Sequence, residues 1–148
     1  MYKAMDIANW FLQYNDYLSN YENEDTDLIS NLKLQKLLYY AQGCYLAAYD
    51  KKLFDEDIVA WRHGPVIESI YRYFKEYGSK GIDKYDTVKI DSDTSSLLED
   101  VYKVFGKYSA WGLRQMTHEE TPWKSTMINN VIDIELIKDY FKENYVTV

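Results

Sequence analysis

The chain has 148 residues, of which 47% are hydrophobic and 28% charged, and its 24 acidic residues outnumber its 17 Lys and Arg, which gives a net charge of −7. A chain of this length suits one domain, and it can bury roughly 70% of its unfolded surface around a single core. The acidic balance, without any run of Lys or Arg, argues against nucleic-acid binding and favours a basic protein partner.

The first part of the chain is predicted to hold two helices separated by an acidic loop. Apolar side chains recur at helical spacing near residues 4 to 18, which predicts an amphipathic first helix. The segment Glu22 to Asp27 is predicted to be a solvated loop. Ser30 or Asn31 can cap a second helix, whose broad apolar face indicates the most buried position in the fold.

A short ribbon is predicted from two extended segments. Ile58 to Trp61 is rich in β-branched and aromatic residues, and Thr87 to Ile90 alternates in polarity, so we expect two short strands that pair with each other. Between them, Gly64-Pro65 predicts the start of a helix, because proline at the first helical position loses no hydrogen bond. Gly78 is predicted to end that helix as a left-handed cap.

The remainder of the chain predicts three further helical segments and a short turn before the last of them. Each segment is preceded by a residue whose side chain can accept from a free helix N–H. The predicted caps are, in chain order, Asp93 or Thr94, Ser109 before a helix from Ala110 to about Thr117, Thr121 before Pro122, and Asp133.

These elements predict a mainly α fold, a compact single-domain bundle over residues 1–148 with about six helices and a short two-stranded β ribbon. The helical faces share a set of apolar positions that we expect to be buried together. They are Leu37, Leu38, Ala41, Ile70, Phe74, Val101, Phe105 and Ile137.

The sequence carries no signature of catalysis or of a cofactor. His63 beside Arg62 would need a nucleophile or an orienting carboxylate, and spacing identifies neither, so we interpret this segment as a corner in the chain. His118 is predicted to end a helix, where a donor meets free carbonyls. The two histidines and the single Cys44 are too few for a typical catalytic zinc site, and Cys44 is predicted to be an inert small hydrophobe. We therefore expect no enzyme, no metal and no cofactor.

The location of the protein is predicted from what the sequence lacks. No apolar run of a signal peptide follows Met1, and no stretch of 18 apolar residues is present. One cysteine excludes an intramolecular disulfide framework. We expect a cytoplasmic protein without a membrane partner.

Three blocks of sequence together resemble the Panacea domain, the family of SocA-like antitoxins and phage-associated proteins. Their order and spacing fall within residues 4 to 141, and the one departure is Lys52, where such proteins are expected to carry a proline. The blocks are Leu34 to Gln42; Leu53-Phe54 followed by Ala60-Trp61, Gly64-Pro65-Val66 and Ile70-Tyr71; and Tyr108 to Trp111 followed by Leu113, Thr117-His118 and Pro122-Trp123-Lys124.

The resemblance implies a non-enzymatic antitoxin that neutralises a small co-encoded toxin by direct association. Aromatic and Arg side chains are the usual anchors of such interfaces, which makes two stretches, around residues 61–63 and 111–123, the candidates for partner binding. Trp10 and Trp61 are more suited to the core than Trp111 and Trp123. The candidate residues are Trp61, Arg62, His63, Trp111, Arg114, His118 and Trp123.

Two other functions stay open at the level of sequence. One is a phage-encoded regulator or counter-defence protein that binds a host factor without catalysis, and the other is an enzyme that uses His63 or His118. The sequence also leaves open whether the toxin is blocked or delivered to a host protease, which oligomeric state the protein adopts, and whether its origin is bacterial or phage.

Overall fold

The computed structural model describes residues 1–22 and 26–146, which form a mainly α fold with a short β ribbon, as predicted. Its elements are α1 (Ala4–Tyr21), α2 (Asn31–Tyr49), β1 (Val59–Trp61), β2 (Gly64–Val66), α3 (Glu68–Tyr73), a 3-10 helix (Lys75–Tyr77), α4 (Ser92–Phe105), α5 (Ala110–His118), α6 (Thr121–Lys124) and α7 (Ile134–Asn144). None of the described helices is long and apolar enough to cross a membrane.

Helix α2 is the centre of the fold, as its broad apolar face predicts. Helices α1, α4, α5 and α7 and strand β2 all pack on it. The eight residues predicted to share the core are each between 0% and 3% exposed, and they belong to one cluster. Burial of each large aliphatic or aromatic side chain in that cluster contributes about 1.5–3 kcal/mol, so this packing dominates the stability of the fold.

A buried polar stripe on α2, made of Gln35, Lys36 and Gln42, holds the irregular chain that follows the helix. The side-chain oxygen of Gln35 accepts from the main-chain N–H of Ile67 at 2.8 Å. The amide of Gln42 makes two hydrogen bonds of 2.7 Å to the main chain of residues 53–54. These polar groups are therefore satisfied inside the core, where an unpaired amide would cost about 1–3 kcal/mol.

Three of the predicted helix caps are confirmed. The hydroxyl of Ser30 accepts from the N–H of Lys33 at 3.3 Å at the start of α2, and that of Ser109 accepts from Gly112 at 3.0 Å at the start of α5. The carboxylate of Asp133 accepts from the N–H of the second helical residue, at 3.0 Å, at the start of α7. Each cap satisfies an N–H group that the helix itself leaves free.

Two predicted caps are wrong by one or two residues. Helix α4 is capped by Asp91, whose carboxylate accepts from the N–H of Thr94 at 3.0 Å, so Asp93 already lies inside the helix. Thr121 is the first residue of the single-turn α6, and Glu120 takes the cap position without a side-chain cap hydrogen bond. The side chain of Glu120 is engaged elsewhere, as described below.

The two-stranded ribbon exists, but its second strand was predicted in the wrong place. Strand β1 pairs antiparallel with β2, with Val59 opposite Val66 and Trp61 opposite Gly64. Gly64-Pro65 thus lies in a strand, and the following helix begins only at Glu68. The edge position tolerates a proline, because the missing N–H is not needed by a further strand.

The segment Thr87 to Ile90 is extended without being a strand. Its central Val88 donates its N–H to the side-chain oxygen of Gln13 at 3.0 Å and accepts from the Gln13 amide at 3.2 Å. A side chain of α1 therefore supplies the hydrogen bonds that a partner strand would otherwise provide. Gly78 ends the 3-10 helix before this segment, and its φ of 59° is positive as expected, but its ψ of −127° shows that the predicted left-handed helical cap is wrong.

The predicted acidic loop connects α1 to α2. Glu22 and Asp27, at its ends, are exposed, and residues 23–25 lie outside the described residues. Thr26, also in the loop, is half-buried and donates its hydroxyl to the carbonyl of Asn15, so the prediction of a solvated loop agrees with the structure at residues 22 and 27 and not at residue 26.

Candidate functional site

The turn of the β-hairpin packs against α5 and α6 and joins the two predicted partner-binding stretches into one surface. A two-residue turn, Arg62-His63, places both side chains at the tip of the hairpin. On α5, residues 111, 114 and 118 are three and four positions apart and so share one helix face. We call this surface the corner face, and it consists of Trp61, Arg62, His63, Trp111, Arg114, His118 and Trp123.

Two side chains of the helices bind the main chain of the hairpin. The indole Nε1 of Trp123 donates to the carbonyl of Trp61 at 2.7 Å, and Nε2 of His118 lies 2.9 Å from the carbonyl of Arg62. Since a carbonyl only accepts, Nε2 of His118 carries a proton. His118 is the last residue of α5, as predicted, but its ring binds a carbonyl of the hairpin and not one of its own helix end.

The charge state of His118 follows from its surroundings. Burial lowers the pKa of His118, the hydrogen bond to the carbonyl of Arg62 opposes this with a smaller increase, and the positive charge of Arg114 lowers the pKa further. The imidazole is therefore neutral at neutral pH, with its proton on Nε2. Its ring lies 4.0 Å from the Trp123 ring, so α5 and α6 contact each other at the same place.

Arg114 links the exposed members of the corner face. Its Nε donates to Nδ1 of His63 at 3.1 Å, and its guanidinium lies 4.4 Å from the centre of the Trp111 ring. A cation over the face of an indole is attracted to it by about 0.5–1 kcal/mol at an exposed site. Trp111 is 56% exposed, and Arg62 and His63 are exposed too, so a partner has access to all three.

The expected division of the tryptophans between core and surface is only partly confirmed. Trp10 is buried, as predicted, and Trp111 is exposed. Trp61 was expected in the core, but it is half-buried, like Trp123, and contacts the Tyr71 ring edge-on at 5.0 Å.

A buried lysine that was not predicted lies beneath the corner face. Lys36 is 1% exposed, and its ammonium donates to the carbonyl of Pro65 at 3.1 Å. Burial lowers the pKa of Lys36 to about 7, and the nearby charge of Arg114 contributes to the decrease. The available signal was its position among leucines on a helix that is apolar nearly all round.

Gly64 is required where it stands. Its φ is +112°, and a Cβ added there would lie 2.7 Å from Cε of Lys36 and 2.9 Å from Oγ1 of Thr117. Both the backbone angle and the available space therefore exclude a side chain. The interpretation of Gly64-Pro65 as a structural corner agrees with this geometry, although the corner is a hairpin and not a helix start.

A buried carboxylate that the sequence did not predict fixes α6 to α2 and α7. Glu120 is 2% exposed and accepts from the hydroxyls of Tyr39 at 2.9 Å, Tyr40 at 3.0 Å and Tyr145 at 2.5 Å. Burial raises the pKa of Glu120, and the three hydroxyl donors oppose that increase. Its hydrogen-bonding oxygens are thus occupied by the protein itself, which indicates a structural role.

Cys44, on α2, matches the prediction of an inert small hydrophobe. It is half-buried, and burial raises the pKa of its thiol to about 12. The thiol therefore stays protonated at neutral pH, and a protonated thiol is a poor nucleophile.

Comparisons with known proteins agree with the resemblance of the three blocks. A family model described as "Antitoxin SocA-like, Panacea domain" matches residues 34–124, which contain every residue of the corner face. The chain is 33% identical over 109 residues to the protein named antitoxin SocA of Caulobacter vibrioides (strain NA1000 / CB15N), over 64% of this chain and 58% of that protein. The chain thus spans less than two thirds of the length of that relative, and no solved structure matches it. Because the family model covers more than half of the chain, the protein belongs to the SocA-like antitoxin, Panacea-domain family.

Proposed function

We propose that this protein is an antitoxin that neutralises a small co-encoded toxin by binding it directly through the corner face, without catalysis. Membership of the SocA-like family supports the antitoxin role. The observation that supports the corner face as the contact surface is its composition. It holds two of the three Arg, both His and three of the four Trp of the chain. Trp and Arg are the residue types most enriched among the energetic anchors of protein interfaces.

The engagement of both histidines supports a role without catalysis. Nε2 of His118 donates to a main-chain carbonyl, and Nδ1 of His63 accepts from Arg114. In the part of the chain that the structure describes, no carboxylate hydrogen-bonds to either imidazole. A catalytic base is commonly oriented by a carboxylate, and without one this arrangement favours contact over proton transfer.

Tight neutralisation also needs fast encounter, and the net charge of the protein suits that step. With a charge of −7, the protein attracts a toxin that is basic as a whole at long range. The anchors of the corner face then determine how long the complex lasts, since affinity among related complexes is set mainly by the dissociation rate.

The test is co-expression with the product of the neighbouring gene, scoring growth and co-purification together. We expect the wild-type protein to restore growth and to co-purify with the toxin. Trp111→Ala should weaken both, and Tyr73→Ala is the matched control, because Tyr73 is a comparably exposed aromatic residue outside the corner face.

Three results would contradict the proposal. A neighbouring product that is harmless by itself, or that stays toxic beside abundant folded protein, removes the antitoxin role and favours the binding of a host factor. Restored growth without any detectable complex contradicts direct binding. Equal protection by Trp111→Ala and the wild type removes the corner face as the contact surface.

A further inference from the structure

The corner face is a local excess of positive charge on an acidic protein. Arg62 and Arg114 lie there, and the partly charged Lys36 lies beneath them, whereas the neutral His118 adds no charge. The charge of Arg114 acts on its neighbours, since it lowers the pKa of both Lys36 and His118. The patch thus has the opposite sign from the protein as a whole, whose net charge is −7.

Neither arginine of the patch is neutralised by the described part of the protein. Over residues 1–22 and 26–146, the ion pairs within 4.0 Å involve lysines at the other end of the molecule and none includes Arg62 or Arg114. Those pairs join Lys52 to Asp55, Lys138 to Asp50 and Glu135, and Lys142 to Asp50. Among the described residues, therefore, no carboxylate pairs with either guanidinium within 4.0 Å, although the exposed Glu119 follows His118 in the chain.

We infer that the corner face binds an acidic segment of the toxin, in which an Asp or Glu carboxylate is held by Arg62 and Arg114 and an adjacent apolar side chain packs on Trp111. This inference rests on the proposed function. A guanidinium presents a planar fork of donors that fits a carboxylate, and Arg114 is already oriented by Trp111 and His63. Less side-chain entropy is therefore lost when the carboxylate binds.

The inference also limits the toxin chemically. A toxin that is basic as a whole is attracted by the negative net charge of the antitoxin. The segment of the toxin that meets the corner face, in contrast, is acidic. Such an arrangement fixes the orientation of the complex, because a basic surface docked on Arg62 and Arg114 would be repelled.

The experiment measures dissociation of the purified complex with the neighbouring gene product. We expect Arg62→Glu and Arg114→Glu each to raise the dissociation rate by roughly thirtyfold or more, as for other charge pairs in the centre of an interface. Lys89→Glu is the matched control, since it makes the same charge change at an exposed site on the segment that packs on α1. Arg62 is exposed in the turn, so Arg62→Glu should melt with the wild type and remain informative if Arg114→Glu does not fold.

A reciprocal experiment identifies the carboxylate. Each Asp and Glu of the toxin is changed to Lys, and we expect one reversal to restore the slow dissociation of the Arg62→Glu complex. If the wild-type protein does not bind the neighbouring product at all, the proposed function fails. If the wild type binds and both Arg variants dissociate at its rate, or if no toxin reversal restores binding, the acidic-segment inference is overturned while direct binding stands.

Discussion

Replacing the buried lysine beneath the corner face is expected to stabilise the protein in a pH-dependent way. The perturbation is Lys36→Met, which keeps an unbranched side chain one atom shorter and removes the ammonium. Burial lowers the pKa of Lys36 from 10.5 to about 7, and this difference corresponds to about 5 kcal/mol at 1.36 kcal/mol for each pH unit. The substitution also leaves the carbonyl of Pro65 without its donor, which costs about 1–3 kcal/mol. The net gain at pH 7 is therefore about 2–4 kcal/mol.

The pH dependence has a defined sign. Between pH 7 and 10.5 the unfolded wild-type chain holds a proton on Lys36 that the folded protein lacks, so its free energy of unfolding rises with pH in this window. The penalty is complete below pH 7 and absent above 10.5. The Met variant lacks this slope, so its advantage should shrink by about 1.4 kcal/mol per pH unit as the pH rises.

The assay is urea unfolding followed by tryptophan fluorescence at pH 7.5, 8.5 and 9.5, with Lys89→Met as an exposed control. We expect the free-energy difference between Lys36→Met and the wild type to fall by about 2.7 kcal/mol across this range, and the control difference to stay constant. A difference for Lys36→Met that does not change with pH would show that the ammonium is as well solvated in the folded protein as in the unfolded one.

Three further substitutions test the surroundings of the corner face. Gly64→Ala should lower the free energy of unfolding by about 2–4 kcal/mol in urea titrations. Gly78→Ala is the control, because Gly78 also has a positive φ but has open space around it, and this substitution should cost only about 1 kcal/mol. Equal effects of the two substitutions would refute the steric argument. Tyr145→Phe removes one of three donors to the buried carboxylate of Glu120 and should cost about 1–2 kcal/mol in the same titration; an unchanged stability would contradict that role. Trp111→Ala should leave thermal stability within about 0.5 kcal/mol while weakening toxin binding, measured by calorimetry, by on the order of 2 kcal/mol; a large loss of stability would indicate a core role.

Helix boundaries that depend on local chemistry were predictable from the sequence. Ser30, Ser109 and Asp133 cap their helices because each side chain reaches an N–H two or three residues later, and no distant contact is needed. The eight core positions were predictable for a similar reason, since helical periodicity alone determines which face is apolar. The cap of α4 was misplaced because Asp91 and Asp93 offer the same chemistry two residues apart.

The position of the second strand depended on a contact that the sequence does not display. Alternating polarity at Thr87 to Ile90 indicates an extended chain, and that part is correct. The side chain of Gln13, 75 residues away from Val88, hydrogen-bonds to the main chain of Val88. It therefore occupies the main-chain groups that a neighbouring strand would otherwise bind. Local sequence rules interpret Gly64-Pro65 as the start of a helix. Those rules do not include the close approach of the Lys36 side chain, which requires a glycine at this position of the hairpin.

The seven residues of the corner face were named from the sequence as two separate stretches. That the two stretches form one surface was not predicted. Trp and Arg are recognisable as interface residues by type, which is why all seven positions could be named. Their assembly depends on His118 and Trp123 binding the main chain of the hairpin, more than 50 residues earlier in the sequence. The same long-range packing buries Lys36, so its altered pKa could not be predicted from its neighbours in the chain alone.

The polar stripe of α2 has a consequence for how this protein can diverge. Gln35 and Lys36 hold the hairpin through main-chain atoms of residues 65 and 67, and His118 holds it through a main-chain carbonyl. Main-chain atoms are the same whatever the side chain, so the exposed positions 62 and 63 can accumulate substitutions while the hairpin keeps its place. Under the proposed function, a lineage could therefore exchange one toxin for another by changing the turn, without having to evolve a new scaffold.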